Sequence, residues 1–219
     1  MAPRADIRGA IGQALAVFER TRAATLELAG CFDSRSVAEH PAVGRWSAGE
    51  VLDQLCKADM IFLSIAQRLI ALQREGRRPV LRDGFADIDN GLRIVPLSWM
   101  RWLEGPLAVF HTATPAPLRR ALGRSRLIRM RHPALAQPEH GIPLDTLTGG
   151  LHDSAAALRA LIEANAGLDY DAMRYSQPLI GSGSLPATLR MLAVHEERHQ
   201  AQLREILAFA RSESRDNTG

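Results

Sequence analysis

The chain has 219 residues, of which 46% are hydrophobic, 5% aromatic and 23% charged, and its net charge is +3. This length suits one domain with its own core, and the apolar share excludes a disordered chain. Two cysteines are too few for a disulfide scaffold and fit a reducing compartment, and so small a net charge is weak evidence for a nucleic-acid partner.

The predicted elements are helices, because alanine and leucine dominate the apolar residues and both favour helix over strand. Apolar residues at three- and four-residue spacing predict a first helix from about Asp6 to Ala29, which Gly30 ends. A second helix is predicted from Ser47 to Glu75. It begins with the capping-box sequence S-x-x-E, in which the side chains of Ser47 and Glu50 each satisfy a backbone N–H of the other residue.

Residues 77–142 interrupt the helical pattern with repeated prolines. Within this stretch we predict one short helix from about Leu97 to Phe110, which carries Trp99 and Trp102. The remainder is predicted to form a long connection over the surface of the protein.

Two more helices are predicted after this connection. The third begins near Pro143 and ends at Gly167, and the pair Gly149-Gly150 inside it indicates either a close contact between helices or a kink. The last helix begins after Ser184, and the polar residues from Ser212 onward are predicted to form a frayed tail. No strand is predicted.

Together these elements predict an all-α fold, a four-helix bundle with a long connection between helices 2 and 3. We expect residues 1–211 to form one domain and residues 212–219 a flexible C-terminal tail. The longest near-apolar stretch, Met60–Ala66, is too short to cross a membrane, and the first residues lack the apolar core of a signal peptide. We therefore expect a cytoplasmic protein without a membrane partner.

The last helix carries two histidines four residues apart, His195 and His199, in the sequence H-E-E-R-H. Side chains at this spacing lie one above the other on a helix, so both imidazoles can bind one metal ion. Both positions also fall on the apolar stripe marked by Leu192 and Leu203. The two histidines are therefore predicted to face the interior of the bundle.

The same five residues match H-E-x-x-H, the zinc metallopeptidase motif, in which Glu196 would act as general base. The peptidase interpretation is disfavoured because no later histidine follows His199 and no strand is predicted that would align a peptide substrate. Glu196 remains a candidate catalytic acid or base, and the alternative is that it simply faces solvent.

A third metal ligand should come from a neighbouring helix, where Gln54 is the best placed candidate. The sequence Trp46-Ser-Ala-Gly-Glu-Val-Leu-Asp-Gln-Leu, followed near the end by His195-Glu-Glu-Arg-His199-Gln-Ala-Gln202-Leu, resembles the DinB/YfiT-like superfamily. The order of the helices and the long connection agree with it, so the resemblance covers nearly the whole chain.

The resemblance implies a DinB-type bundle, often dimeric, that binds a divalent metal ion (Zn, Ni or Fe) through one histidine of helix 2 and two of the last helix. Some members are transferases that act with low-molecular-weight thiols. His195 and His199 match the histidine pair of the last helix, whereas Gln54 occupies the position of the helix-2 histidine. Because an amide is a poorer ligand than imidazole for zinc or nickel, three alternatives are open: weak binding with Gln54, replacement by Glu50, or loss of the metal.

We therefore expect a divalent-metal-binding hydrolase or thiol S-transferase-like protein with its site between helices 2 and 4. The resemblance implies a homodimer that acts on a small molecule, with a low-molecular-weight thiol as cofactor. The alternative is a non-catalytic binding or interaction protein, which has lost the metal because Gln54 replaces the family histidine.

Arginine supplies nearly all the basic residues, since Lys57 is the only lysine. Six arginines accumulate in the acid-free stretch 105–138, namely Arg119, Arg120, Arg124, Arg126, Arg129 and Arg131. This stretch is interpreted either as a solvated surface segment or as an anion-binding rim for a charged thiol cofactor. Nucleic acid is a disfavoured partner, because no recognised nucleic-acid module accompanies the arginines.

Overall fold

The computed structural model describes residues 7, 9–82, 137–177 and 181–216. Helices account for most of this part of the chain, which confirms the predicted all-α class. The four helices are α1 (Gly9–Ala29), α2 (Ala48–Arg74), α3 (Leu144–Glu163) and α4 (Leu185–Asp216). The short strands are β1 (Val80–Arg82), β2 (Arg174–Gln177) and β3 (Gly181–Ser184).

The four helices surround a common core. Helix α1 packs against α3 and α4, and α2 packs against the same two helices. Each helix therefore has two principal neighbours, which is the arrangement expected of a four-helix bundle.

The core divides into two apolar clusters along the length of the helices. The first contains Phe18 and Leu69 among its buried side chains, and the second contains Leu52, Leu151 and Leu203. These side chains come from all four helices: Phe18 from α1, Leu52 and Leu69 from α2, Leu151 from α3 and Leu203 from α4. Burial of one apolar face on each helix is therefore what holds the bundle together.

The start of α2 confirms the predicted capping box. Ser47 N donates to Glu50 Oε2 at 2.7 Å, and Glu50 N donates to Ser47 Oγ at 3.2 Å. These bonds satisfy two of the backbone N–H groups that a helix N-terminus leaves without a partner.

The other helix limits differ from the prediction by a few residues. Helix α1 starts at Gly9, and α3 ends at Glu163, before Gly167. Helix α4 continues past Ser212 to Asp216, within the segment predicted as a tail. That segment is polar, but it has neither glycine nor proline before Gly219 to end the helix.

The prediction that the chain has no strand is wrong. The strands lie in the order β1-β2-β3, with β1 parallel to β2 and β2 antiparallel to β3. Each has only three or four residues, and β3 has the sequence GSGS, so none shows the apolar alternation that predicts a strand. The buried Tyr175 ties this small sheet to the first apolar cluster.

Gly150, but not Gly149, lies at a contact between helices, so the first of the two predicted explanations holds for one residue of the pair. A Cβ atom added at Gly150 would lie 3.4 Å from Cys56 Sγ on α2, whereas one added at Gly149 would meet nothing within 4 Å. Gly150 thus lets α3 approach α2 closely, and α3 is continuous through both residues.

Two sequence-based predictions fall outside the described residues. They are the short helix at 97–110 with Trp99 and Trp102, and the arginine-rich stretch at 119–131. Among the described helices, none is both long and apolar enough to span a membrane.

Substituting the N-cap of α2 tests the capping box. We expect Ser47→Ala to lower the free energy of unfolding by about 1 kcal/mol, because the N–H of Glu50 loses its acceptor in a buried setting. Urea denaturation followed by circular dichroism measures the change. Ser212→Ala, at an exposed site late in α4, is the matched control and should change stability by less than about 0.5 kcal/mol; equal effects of the two substitutions would contradict the assignment.

Candidate functional site

The three predicted metal ligands meet between α2 and α4. His195 Nε2 lies 3.1 Å from Gln54 Oε1, and the rings of His195 and His199 lie edge to face with their centres 4.6 Å apart. Gln54 is only 3% exposed and His199 4%. The structure thus brings together the residues that helical spacing predicts, on the interior side of both helices.

Two further residues complete the surroundings of the histidine pair. His199 Nδ1 lies 3.2 Å from Gln202 Oε1, and the indole of Trp46 is nearly parallel to the His199 ring, with centres 6.3 Å apart. Trp46 therefore provides an apolar wall beside a polar centre.

The donor atoms of this centre fit a divalent transition metal in part. Two imidazoles are suitable ligands, but the neutral oxygen of Gln54 is a weak third donor. In addition, His195 Nε2 and Gln54 Oε1 face each other in a hydrogen bond, and both side chains would have to turn before these atoms could face an ion. The centre is therefore suited to weak rather than tight binding.

Glu196 does not face solvent, so that alternative is wrong. It is 1% exposed, and its two carboxylate oxygens accept bonds from Arg22 Nε at 2.8 Å and Arg22 Nη2 at 3.1 Å. Thr25 Oγ1 donates to the same carboxylate at 2.6 Å. These contacts turn Glu196 toward α1 and give it a structural partner; its predicted role as acid or base receives no support from them.

Arg22 is the centre of a buried polar layer that sequence analysis missed. Its guanidinium contacts Asp59 on α2 at 2.8 Å, Leu151 O on α3 at 2.6 Å, Ser154 Oγ on α3 at 3.1 Å, and Glu196 on α4. The sequence does contain a signal for this layer, because Arg22 follows Phe18 by four residues and Asp59 follows Leu55 by four. A charged residue on an apolar stripe needs a buried partner.

Burial and charge act in opposite directions on the groups of this layer. Desolvation raises the pKa of Asp59 above its usual value of 3.8, although Arg22 and the bond from Ser154 oppose that shift. Burial by itself lowers the pKa of Arg22, but the bond to Glu196 and the two carboxylate charges outweigh it and raise the pKa overall.

A second histidine pair lies at the N-terminus of α2, beside Glu50, which the sequence offered only as a replacement for Gln54 as metal ligand. His40 Nδ1 lies 3.5 Å from Glu50 Oε2, and His140 Nδ1 lies 3.9 Å from Glu50 Oε1. The two rings are stacked with centres 5.0 Å apart. Glu50 thus contacts both histidines as well as Ser47. We call His40, Glu50 and His140 together the His40–Glu50–His140 cluster.

A groove of about 700 Å³ lies between the end of α1 and the start of α3. Its wall includes Val37 and Ala38, shortly before His40, and Gly141 and Ile142, directly after His140. The chain segments that line this groove therefore continue into the two histidines of the cluster.

We call the centre formed by Gln54, His195 and His199 the α2–α4 centre, and Cys56 adds no reactive thiol to it. Burial, together with the charge of Asp59, raises the pKa of the Cys56 thiol to about 12, so the thiolate is scarce at neutral pH. Cys31 is exposed just after α1.

No family model matches this chain, and neither any curated protein nor any solved structure matches it.

Removing the guanidinium tests the buried polar layer. We expect Arg22→Met to lower the free energy of unfolding by about 3–5 kcal/mol, because it leaves two buried carboxylates without a cation. The matched control is Arg159→Met, which removes partly exposed ion pairs with Glu19 and Glu163 and should cost at most about 1 kcal/mol. Urea denaturation measures both variants, and similar losses would show that the layer is not stabilised by Arg22.

The raised pKa of Asp59 gives a pH dependence with a definite sign. Between 3.8 and the higher pKa of the folded state, the folded protein binds more protons at this site than the unfolded chain, so the contribution of Asp59 to stability falls as the pH rises. Asn at this position does not titrate. The difference in unfolding free energy, Asp59→Asn minus wild type, should therefore increase as the pH is raised from about 4.

Denaturation of both proteins over a pH series measures this difference. Asp33→Asn, at an exposed carboxylate whose pKa is lowered chiefly by hydrogen bonds from Ser36, is the control with the opposite sign. If the difference in unfolding free energy between Asp59→Asn and wild type decreases with pH, the charge of Arg22 outweighs burial and the pKa of Asp59 is lowered rather than raised.

Proposed function

We propose that this chain is a divalent-metal-binding hydrolase or thiol S-transferase-like protein of the DinB type, with its site between α2 and α4. The observation that carries the proposal is the convergence of His195, His199 and Gln54, with 3.1 Å between His195 Nε2 and Gln54 Oε1. The order of the helices and the two quoted motifs add to it. In this proposal the protein acts on a small molecule, as a cytoplasmic homodimer.

His195 and His199 are the residues that would hold the ion, and Gln54 would add a weak donor. A bound divalent ion lowers the pKa of a thiol or water molecule and so supplies a nucleophile at neutral pH. The chain itself contributes orientation: Gln202 Oε1 lies 3.2 Å from His199 Nδ1, and the Trp46 indole lies nearly parallel to the His199 ring. A low-molecular-weight thiol is the proposed cofactor.

A second candidate is a non-catalytic binding protein that has lost the metal. The observation in its favour is that His195 and His199 are each hydrogen-bonded to an amide oxygen, of Gln54 and Gln202 respectively. Such a pair is a satisfied polar element of a helical core and needs no ion.

Restoring the family histidine separates the two candidates. We expect Gln54→His to tighten Zn²⁺ binding at least about tenfold, because even partners outside the ligand shell contribute about that much to metal affinity. Isothermal titration of untagged protein in a His140→Ala background confines the measurement to the α2–α4 centre. The control adds His195→Ala and His199→Ala, which should abolish this binding.

Two results would reject the metal-dependent candidate. One is the absence of Zn²⁺ binding to the His140→Ala protein that retains Gln54, provided that circular dichroism shows it to be folded; binding that appears only with Gln54→His would support the second candidate. The other is binding that survives the loss of both histidines. For the reaction class, the metal-loaded protein should accelerate attack of a low-molecular-weight thiol, or of water, on a chromogenic electrophile, and the double histidine variant should not.

A further inference from the structure

We propose that the His40–Glu50–His140 cluster is a second divalent transition-metal site, at the surface of the bundle and independent of the α2–α4 centre. Each of the three residues offers one ligand atom, and these atoms all lie within 4.8 Å of one another. The two centres share no residue. The proposal therefore stands whether or not the proposed function is correct.

The types of donor atom favour particular metals. Two imidazole nitrogens and one carboxylate oxygen are a common set for Zn²⁺ and for Fe²⁺, and imidazole also suits Ni²⁺ and Co²⁺. Mg²⁺ and Ca²⁺ prefer all-oxygen sites and are not expected here. Three protein ligands leave at least one coordination position for water or another small ligand.

Glu50 is held in place before any ion binds. Its Oε2 accepts the backbone N–H of Ser47 at 2.7 Å within the capping box, while its Oε1 is the oxygen nearer to His140. The side chain is 14% exposed, so its negative charge is only partly screened by water. The capping box thus fixes the one anionic donor of the cluster on the rigid first turn of α2.

His40 is oriented by a backbone carbonyl. Its Nδ1 lies 2.7 Å from Arg45 O and 3.5 Å from Glu50 Oε2, so the carbonyl holds this nitrogen beside the carboxylate. Binding of an ion through Nδ1 would replace the bond to Arg45 O and release the Nδ1 proton to solvent. The loop itself is tied to α2, because Gly49 N donates to Val37 O at 2.8 Å and a Cβ at Gly49 would crowd that oxygen.

His140 is brought to the cluster by the segment that leads into α3. Glu139 N donates to Asp53 Oδ2 at 2.8 Å, and Lys57 Nζ contacts both Gln137 O at 2.9 Å and Glu139 Oε1 at 3.1 Å. Asp53 and Lys57 follow Glu50 on the same helix. The segment is therefore anchored to α2 directly beside the carboxylate that His140 approaches.

Exposure makes the cluster accessible to an ion from solution. The side chains of His40 and His140 are 44% and 55% exposed, and they approach Glu50 from two chain segments that are far apart in sequence. An ion would link both segments to α2, so its binding should also stabilise the fold.

Zn²⁺ titration of the full-length, untagged, metal-stripped chain tests the proposal. The titration uses the His195→Ala, His199→Ala double variant, so that only the cluster is measured. This variant should still bind one Zn²⁺, and the bound Zn²⁺ should raise its melting temperature. In that background, His40→Ala and His140→Ala should each weaken binding at least about tenfold. Co²⁺, which is coloured, should give an absorption spectrum of nitrogen and oxygen ligands that is lost in both variants.

Glu50→Gln is the sharpest variant. Glutamine preserves the capping box but replaces the anionic ligand with an amide, so Zn²⁺ affinity should fall at least about tenfold while the free energy of unfolding without metal changes little. His152→Ala, at an exposed histidine of α3 with a neighbouring Asp153, is the matched control and should leave binding unchanged.

Three outcomes would overturn the proposal. The first is no Zn²⁺ binding by the double variant at millimolar concentration. The second is binding that His40→Ala, His140→Ala and Glu50→Gln leave unchanged. The third is an equal loss in His152→Ala, which would indicate nonspecific binding to surface histidines. None of these outcomes decides whether the α2–α4 centre binds metal, which the Gln54→His measurement addresses.

Discussion

The guanidinium of Arg22 is the interaction on which the rest of the bundle depends. It extends from α1 and contacts Asp59 on α2, Leu151 O and Ser154 on α3, and Glu196 on α4, although only 2% of the residue is exposed. A buried charge is costly without partners. Moving any one helix by a turn would remove one of these partners, so a single side chain constrains the register of all four helices. Its layer also separates the two apolar clusters along each helix.

The same layer determines where the histidines of α4 point. Glu196 bonds to Arg22, and Gln200, one turn later, donates to Thr21 O at 2.8 Å, so this edge of the helix is fixed against α1. His195 and His199 precede these two residues by one position each. A step of one residue is about 100° of rotation around a helix, which directs the histidines toward α2 and Gln54 instead. The contact of α4 with α1 therefore has two results: it gives Glu196 a structural role, and it places the candidate ligands His195 and His199 toward α2.

The parts of this structure that were predictable from the sequence are those set by local periodicity. Apolar spacing predicts the helices, S-x-x-E predicts the cap at Ser47, and the four-residue spacing of His195 and His199 predicts their shared face. The strands were not predictable, since β3 is made of glycine and serine and is defined by its pairing with β2. The His40–Glu50–His140 cluster was not predictable either, because two of its members lie in loops whose meeting depends on tertiary contacts.

The two histidine pairs differ in the charge that accompanies them. Inside the bundle, the nearest carboxylate along α4 is Glu196, and its charge is already compensated by Arg22. The partners described above for His195 and His199 are the neutral amides of Gln54 and Gln202, in a setting where desolvation is expensive. One turn before Gln54 on α2, Glu50 carries a carboxylate that faces His40 and His140 near solvent. Because a divalent ion gains most from an anionic ligand and loses least where its hydration is retained, electrostatics favours the surface cluster over the interior pair in this chain.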